Sequence, residues 1–221
     1  NSPETPVFLK GSELYGLYES KKSGEKFTRL LLVEGYLDVI ALAQMGIRNA
    51  VATLGTATSA RHLTRMFRAV SEVVFCFDGD TAGRNAAWRA LETSLPLMED
   101  GRRVRFLFLP DGEDPDTRVR SIGTEGFLQE IERATPLEQF FFDKLSEGTD
   151  IQSIEGKARL SNLAKPLIRL FPKGVYGQLM LDKLSETLGI SSESLDQLLA
   201  SAPQERGSQL EPPETMLAQQ P

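Results

Sequence analysis

The sequence predicts an α/β fold in which a mainly parallel sheet is flanked by helices and followed by an α-helical C-terminal subdomain. Between residues 27 and 122, short apolar runs alternate with amphipathic stretches, which is the pattern of strand-helix units in a parallel sheet. Beyond residue 122 the strand pattern stops and only helical periodicity continues. Acidic residues directly follow three of the apolar runs, at the edge where an open α/β sheet binds its ligands.

Each element of the predicted sheet domain follows from hydrophobic spacing and from capping residues. The predicted strands are 28–33, 49–54, 72–77 and 103–109. The predicted helices between them are 36–45, 59–70 and 81–98. We also expect a helix near 12–20 before the first strand and an acidic loop at 110–116 after the last one.

The C-terminal half is predicted to be helical. The patterns cover 124–134, 136–147, 151–170, 174–189 and 191–200. We therefore expect four parts: an N-terminal segment that packs on the sheet domain (1–26), the sheet domain (27–122), a helical subdomain (123–201) and a flexible linker rich in Pro and Gln (202–221).

Composition excludes several classes of protein. With 40% hydrophobic and 25% charged residues, the 221 residues are ordinary globular material. The net charge of −6 gives no general attraction to nucleic acid, so any such contact must be local. The single cysteine, Cys76, cannot form a disulfide or zinc framework within the chain, which suits a reducing cytoplasm. The sequence contains no run of 18 apolar residues, so no membrane span is predicted. Because the sequence does not begin with Met, we expect it to be a piece of a longer protein.

The first acidic pair is Glu34 with Asp38. Glu34 follows four apolar strand positions and precedes Gly35, so it lies at a tight turn where the backbone can approach a ligand. Asp38 comes one helical turn later and can face the same side. Both could instead be first-turn acids that interact favourably with a helix dipole. Taken alone, neither residue decides between a ligand-binding and a structural role.

The second pair is Asp78 with Asp80, separated by Gly79. The glycine lets both carboxylates point to one ion, and the helix that begins at Thr81 has an N-terminus that also favours anions. A capped turn is the structural alternative. Because this pair shares its sheet edge with Glu34, we favour a metal-binding role.

The third acidic run occupies residues 110–116. It could be a solvated turn, because Asp, Gly and Pro are turn formers. Its place beside the other two pairs favours Asp114 and Asp116 as ligands of a second metal or as outer groups of the site. Since Mg²⁺ prefers carboxylate oxygens and keeps several waters, the three clusters together predict divalent-metal phosphate chemistry.

Other polar residues give weaker signals. Arg84 lies one turn into the helix after Asp80, where it could bind a phosphate or pair with a carboxylate. His62 is expected at the surface, with no nucleophile pattern to accompany it. The arginines at 61, 65 and 68 could face phosphate but are expected to be a solvated helix face.

The motifs resemble those of a known family. The acidic strand ends and the strand-helix units between them look like the topoisomerase-primase (TOPRIM) fold. The amino-acid sequences of four segments closely resemble those of bacterial DnaG-type primases: 33–39, 53–57, 77–83 and 109–116. Segments 1–6 and 14–17 also look like the sequence that precedes the fold in that family.

The resemblance implies a DNA-directed RNA polymerase that makes short RNA primers for replication, a nucleotidyltransferase of the bacterial cytoplasmic replisome. Its catalytic set would fall on Glu34, Asp78 and Asp80, with Asp38, Asp114 and Asp116 as further metal ligands. Two or more Mg²⁺ or Mn²⁺ ions are implied, as are three partners: single-stranded DNA template, RNA primer and nucleoside triphosphates. No membrane partner is expected.

The resemblance covers only part of the family's full protein. A zinc-binding module, a basic half of the polymerase domain and a C-terminal module that binds the replicative helicase are expected to lie outside this chain. We therefore expect the isolated 221 residues to bind Mg²⁺ or Mn²⁺ and to prime weakly or not at all.

Alternative functions remain open from the residues alone. A haloacid-dehalogenase-like phosphatase also places Asp-x-Asp at a strand end. Its motif has Thr two residues after the second Asp, whereas in this sequence Thr81 follows Asp80 immediately. A topoisomerase needs a nucleophilic Tyr, and Tyr36 has no activating context. A metal-stabilised, non-catalytic interaction module is the remaining alternative.

Overall fold

The computed structural model describes Thr5 and residues 9–201, with side chains described as far as residue 198. The predicted linker at 202–221 lies outside the described residues, as does most of the chain before residue 9. The strands are β1 (Leu14–Tyr15), β2 (Arg29–Val33), β3 (Ala50–Thr53), β4 (Glu72–Phe77), β5 (Arg103–Phe108) and β6 (Thr135–Pro136). The helices are α1 (Leu17–Lys22), α2 (Tyr36–Gln44), α3 (Ala60–Phe67), α4 (Thr81–Ser94), α5 (Pro115–Glu132), α6 (Leu137–Ser146), α7 (Ile154–Ile168), α8 (Val175–Leu188) and α9 (Ser192–Ser201).

The described strands form one sheet in the order β1-β3-β2-β4-β5-β6. The four inner strands are parallel to one another, whereas β1 pairs antiparallel with β3 and β6 pairs antiparallel with β5. The predicted α/β class, a mainly parallel sheet followed by helices, is therefore confirmed. The predicted boundary near residue 122 stays a prediction.

Helices cover both faces of the sheet because both faces of the inner strands are apolar. On one face, Leu31 and Val33 of β2 pack with α2 and α5. On the other face, Leu32 and Phe75 belong to a cluster that includes α3, α4 and the C-terminal helices as far as Leu195. The helical subdomain thus buries its apolar side in the same core as the sheet.

The expected helix at 12–20 is replaced by β1 and the shorter α1. Gly16 separates them in the left-handed region, with φ of 81°. A Cβ atom there would lie 2.8 Å from Val39 Cγ1 and 2.9 Å from the Ala50 carbonyl oxygen. Because a continuous helix cannot pass through this conformation, the segment forms an edge strand first.

One predicted helix bound is wrong, and one helical segment was not predicted. Gly123, with φ of 73°, breaks α5, so the part of α5 that follows it begins where the sequence predicts, near 124. The unpredicted part runs from Pro115 to this break, because Asp114 caps it and Pro at the first position is favourable. The helix expected to reach 98 ends at Ser94, where Pro96 converts the chain to a 3-10 turn.

His62 is fully buried, so the expectation of a surface histidine is wrong. Its Nδ1 accepts a hydrogen bond from the Ser59 amide, and Nε2 lies 2.9 Å from the Lys10 carbonyl oxygen. Ser59 Oγ donates to the Gly11 carbonyl oxygen at 2.6 Å, and Arg65 donates to the Ser12 carbonyl oxygen. The start of α3 therefore holds the chain that leads into β1.

A buried carboxylate ties three strands together at the amino edge of the sheet. Glu72, at 2% exposure, lies 3.2 Å from Arg29 Nε on β2 and 3.1 Å from Arg105 Nε on β5. Arg103 approaches the same carboxylate at 3.7 Å. The register that aligns β2, β4 and β5 brings these charges together. The same register determines which residues lie next to one another at the opposite, carboxyl ends of the strands.

Candidate metal centre

Strand register brings the first two acidic pairs to one edge. Leu32 of β2 pairs with Phe75 of β4, so Glu34 and Asp78, just beyond these parallel strands, follow neighbouring strand ends. The helix after β2 packs on one face of the sheet and the helix after β4 packs on the other. Such a divergence of connections opens the crevice in which open α/β folds bind ligands.

Two glycines shape the turn that carries the second pair. A Cβ atom on Gly79 would lie 2.1 Å from the Leu109 carbonyl oxygen, so only glycine lets this turn approach the end of β5. A Cβ atom on Gly83 would lie 2.2 Å from the Asp78 carbonyl oxygen. Packing therefore requires glycine both between Asp78 and Asp80 and in the first turn of α4.

The carboxylates at this edge raise one another's pKa. Burial raises the pKa of Glu34, and the charges of Asp78, Asp80 and Asp38 raise it further. Burial likewise raises the pKa of Asp78, with added repulsion from Asp80 and Asp114. Such repulsion is what a bound cation would relieve.

Asp38 links this pair to the third acidic run. Burial raises the pKa of Asp38, and a hydrogen bond from the Gly35 amide, 3.0 Å long, partly offsets that rise. Three neighbouring carboxylates raise it again: Asp114, Asp78 and Asp116. A series of such repulsions therefore connects all six predicted acidic residues along one edge.

Besides Asp38, three more of these acids have structural partners within the protein. Asp80 accepts from the Gly83 amide at 2.6 Å and caps α4, while Asp114 accepts from the Thr117 amide at 2.7 Å and caps α5. The Thr117 amide lowers the pKa of Asp114. Asp116 pairs with Arg120 at 2.5 Å. Asp80 and Asp114 therefore cap helices and Asp116 forms an ion pair. These structural roles are compatible with a role as metal ligands.

Glu34 and Asp78 differ from the other acids. Among the described residues, neither carboxylate receives a hydrogen bond or an ion pair, although each lies in a field of like charge. Carboxylates that are repelled by like charges, and whose own charge no group in the described part of the protein compensates, are candidates for a functional role.

Arg84 lies beside the acidic edge on α4. Its guanidinium carbon is 5.5 Å from the centre of the Phe108 ring. Its charge also contributes to the lowered pKa of Glu147, for which Lys144 is the main cause. Its predicted role in phosphate binding stays a prediction.

The acidic edge is open rather than closed around an ion. In the described part of the chain, no group of three or more His, Cys, Asp or Glu side chains is arranged as a ready ligand set. The donor chemistry nevertheless fits Mg²⁺ or Mn²⁺, which take carboxylate oxygens and fill remaining positions with water or substrate phosphate.

A cavity of about 320 Å³ opens next to Glu34. Its lining includes the loop from Gly55 to Thr58 and the α4 residue Arg89. The sequence did not single out Arg89, because one exposed charge on a helix gives no local signal of function.

Among the described helices, none combines the length and the apolar character that a membrane span requires.

Comparison with known families gives two matches. The Toprim-like family model matches residues 31–119, which include all six predicted acidic residues. Proteins with a Toprim domain generally bind divalent metal ions. A second model, described as the DnaB-helicase binding domain of primase, matches residues 139–193.

Known proteins extend the likeness to most of the chain. The DNA primase of Pseudomonas putida is 56% identical over 204 residues, which are 92% of this chain and 31% of that protein. The crystal structure of a DNA primase domain from Pseudomonas aeruginosa has a TM-score of 0.87 and 56% identity, covering 90% of this chain and 62% of that one. A DnaG primase catalytic domain bound to single-stranded DNA gives 0.80 and 53%, covering 84% and 60%. The chain spans about a third of the length of the curated relatives.

The second match bears on the expected helicase partner. Helicase binding was expected in a module outside the chain, and the family described as helicase-binding matches residues 139–193, which include most of α6 and all of α7 and α8. Which part of the protein contacts the helicase stays a prediction. A regular series of amphipathic helices carries no local mark of a partner, so the sequence pattern did not reveal this likeness.

Proposed function

We propose that this chain, which belongs to the bacterial DnaG-type DNA primases and carries their Toprim part, supplies the metal-binding half of a primer-synthesising active site. The observation that carries the proposal is the uncompensated Glu34 and Asp78 pair at adjacent strand ends, inside the Toprim match. The reaction is attack by a primer 3′-hydroxyl on the α-phosphorus of a nucleoside triphosphate, with release of pyrophosphate.

The chain's own residues would divide the work by position. Glu34, Asp78 and Asp80 would hold Mg²⁺ or Mn²⁺ directly, while Asp38, Asp114 and Asp116 would bind a further ion or its waters. When bound, these ions neutralise phosphate charge and lower the pKa of the attacking hydroxyl. The caps on Asp80 and Asp114 fix those carboxylates in place before any ligand arrives.

The partners we propose are single-stranded DNA, nucleoside triphosphates, the growing RNA primer and the replicative helicase, in the cytoplasmic replisome. Support for single-stranded DNA comes from the primase domain solved with it, and support for the helicase comes from the match at residues 139–193. Because the chain is acidic overall, we propose that segments beyond these 221 residues supply the basic surface for the template.

A chimeric primase tests this function. The matching segment of the Pseudomonas putida primase is replaced by this chain, and primer synthesis on single-stranded DNA is measured. We expect synthesis by the chimera and its loss, by about a hundredfold or more, in Glu34→Gln and Asp78→Asn forms. An inactive chimera that folds normally, or active variants, would contradict the proposal.

The phosphatase alternative gives a different result. A haloacid-dehalogenase-like enzyme would form an acid-stable phosphoryl group on Asp78 when given a phosphate ester. We expect no such labelling, because Asp78 acts as a metal ligand in the proposed reaction.

A further inference from the structure

The third acidic run, residues 110–116, is held by an arginine that follows it in the chain. Arg118 lies near the start of α5, and its side chain is 20% exposed. Its Nη1 donates to the two carboxylate oxygens of Glu113 at 3.3 and 3.4 Å. Its Nε donates to both carboxylate oxygens of Glu130 at 3.1 Å, and its Nη2 donates to Glu130 as well. One guanidinium therefore joins the acidic run to the far end of α5.

The break in α5 makes this double contact possible. In an unbroken helix, Arg118 and Glu130 would lie about 18 Å apart along the axis, because a helix rises about 1.5 Å per residue. At Gly123 the backbone leaves the helical conformation, with φ of 73° and ψ of 168°, so the second half of α5 can approach the first. Thr124 Oγ1 donates to the Met45 carbonyl oxygen at 2.8 Å and fixes the break against the end of α2. Arg118 is thus tied to a segment that is itself held in place.

The acidic run needs such an anchor because much of it lies at the surface. Residues 110–112 are exposed, and exposed loops are among the more mobile parts of a fold. The Glu113 amide closes a turn onto the Pro110 carbonyl oxygen at 3.1 Å, and the carboxylate of the same glutamate is the group that Arg118 holds. The contact therefore restrains the residue directly before Asp114.

Arg118 has two opposite effects on a cation bound nearby. Its positive charge repels a divalent ion, so its removal would strengthen binding if charge alone mattered. Its contacts hold the backbone beside Asp114, and partners of this kind, which orient a ligand without touching the metal, strengthen binding. The sign of the change on substitution therefore distinguishes positioning from electrostatics.

We propose that Arg118 is a positioning residue, which holds the acidic run so that Asp114 and Asp116 can bind a metal ion or its waters. The inference rests on the proposed function, which assigns that role to the two aspartates. It adds a residue that touches neither the ion nor the substrate and acts through Glu113 on its neighbour in the run. Arginine suits this role because its planar guanidinium donates to two carboxylates at once, whereas lysine presents a single ammonium group.

Two substitutions separate the geometry from the charge. Arg118→Lys keeps the charge but cannot hold both carboxylates, and Arg118→Met removes the charge but keeps an unbranched side chain. Arg102→Lys and Arg102→Met are the matched controls, because Arg102 is also partly buried, at 26% exposure, and pairs with Glu99 just before β5, at the opposite edge of the sheet. Binding of Mn²⁺ to the chain is titrated by electron paramagnetic resonance, and the melting temperature of each metal-free variant is measured alongside.

Asp114→Asn identifies the bound ion that depends on the acidic run. Asparagine also caps helices, so α5 is kept while one carboxylate is lost. We expect Arg118→Lys and Arg118→Met each to weaken binding of that ion by about tenfold, with both Arg102 variants unchanged within about twofold. The inference is overturned if a folded Arg118→Lys binds Mn²⁺ as the unchanged chain does, or if Arg118→Met binds it more tightly.

The double variant tests whether Arg118 acts through the aspartate. Adding Arg118→Lys to Asp114→Asn should cause less further loss than Arg118→Lys causes alone, because the two changes affect one ligand. Losses that add in full would overturn the inference.

The same titrations keep this inference distinct from the proposed function. If Asp114→Asn weakens Mn²⁺ binding and Arg118→Lys does not, the positioning role fails and the assignment of Asp114 as a metal ligand stands. If Asp114→Asn binds Mn²⁺ normally, that assignment fails, and the role of Arg118 falls with it.

Discussion

At the scale of single residues, the molecule places charge where its own structure does not stabilise it. Glu34 and Asp78 follow adjacent parallel strands, and the pKa of each is raised by partial burial and by like charges. A carboxyl whose folded pKa is raised favours folding only while it is protonated. That contribution is present below its unfolded pKa, near 4, and is lost as pH rises through the folded pKa.

Asp78→Asn should therefore raise the melting temperature of the metal-free chain at pH 7 by about 1–3 °C. The amide keeps the size of the side chain and removes the repulsion from Asp80 and Asp114. Near pH 3, where the carboxylates are protonated, the difference should vanish. Differential scanning calorimetry in the presence of a chelator measures both, and a lower melting temperature for Asp78→Asn at pH 7 would refute the account.

For His62 we predict the opposite dependence of stability on pH. Desolvation is the main cause that lowers its pKa, so the neutral ring stabilises the fold above pH about 6.5 and that contribution is lost as pH falls through the folded pKa. His62→Ala should cost about 2–3 kcal/mol at pH 7, because the Ser59 amide and the Lys10 carbonyl lose a buried partner.

Urea unfolding at pH 7 and pH 5.5 measures this effect, with Arg61→Ala as a neighbouring exposed control. Stability should fall less between these two pH values in His62→Ala than in the unchanged chain. Equal slopes would show that the histidine does not anchor the N-terminal segment through its neutral form.

At the scale of elements, strand register joins stability to the site. Glu72 holds β2, β4 and β5 together through three arginines at the amino edge, and the same register places Glu34 and Asp78 at the carboxyl edge. Glu72→Ala should cost about 3 kcal/mol, because it leaves three arginines around an empty position. The surface pair of Glu99 with Arg102 provides the control, since Glu99→Ala should change stability by less than about 0.5 kcal/mol. Equal losses for the two variants would contradict this role for Glu72.

The turn after β4 gives a second prediction at this scale. Gly79→Ala should displace the turn, because the new Cβ would meet the Leu109 carbonyl oxygen at 2.1 Å. Affinity for Mn²⁺ should fall by about tenfold or more even where the protein still folds. Gly11→Ala, at a glycine that has open space around it and, like Gly79, lies outside the left-handed region, is the matched control for the added methyl group. Manganese affinity equal to that of the unchanged chain would show that the turn tolerates the methyl group.

The sequence predicted the inner sheet and its acidic edge because apolar runs and the residues that follow them are local patterns. It missed β1 because two residues are too few to show alternation. It missed the start of α5 although Asp114 followed by Pro115 is a helix-start signal, since the acidic run looked like a loop. The burial of His62 and the arginines around Glu72 depend on segments distant in the chain, which no local spacing reveals.

At the scale of the whole molecule, the chain combines an acidic sheet edge with a helical subdomain that shares its core. We predict that the isolated 221 residues bind Mn²⁺ but synthesise primers at less than about one hundredth of the rate of the chimeric primase, because the chain carries a net charge of −6 and the basic template surface is proposed to lie elsewhere. Primer synthesis on single-stranded DNA, followed with labelled nucleotides, measures both rates. Vigorous synthesis by the isolated chain would contradict this division of labour.

The central claim is that carboxylates from separate strand ends share a divalent ion. A crystal of the chain soaked with Mn²⁺ and ATP tests it most directly through the anomalous signal of manganese. We expect a peak within about 2.0–2.3 Å of carboxylate oxygens from Glu34 and from Asp78 or Asp80. Manganese bound elsewhere, with the edge between β2 and β4 free of any peak, would contradict the claim.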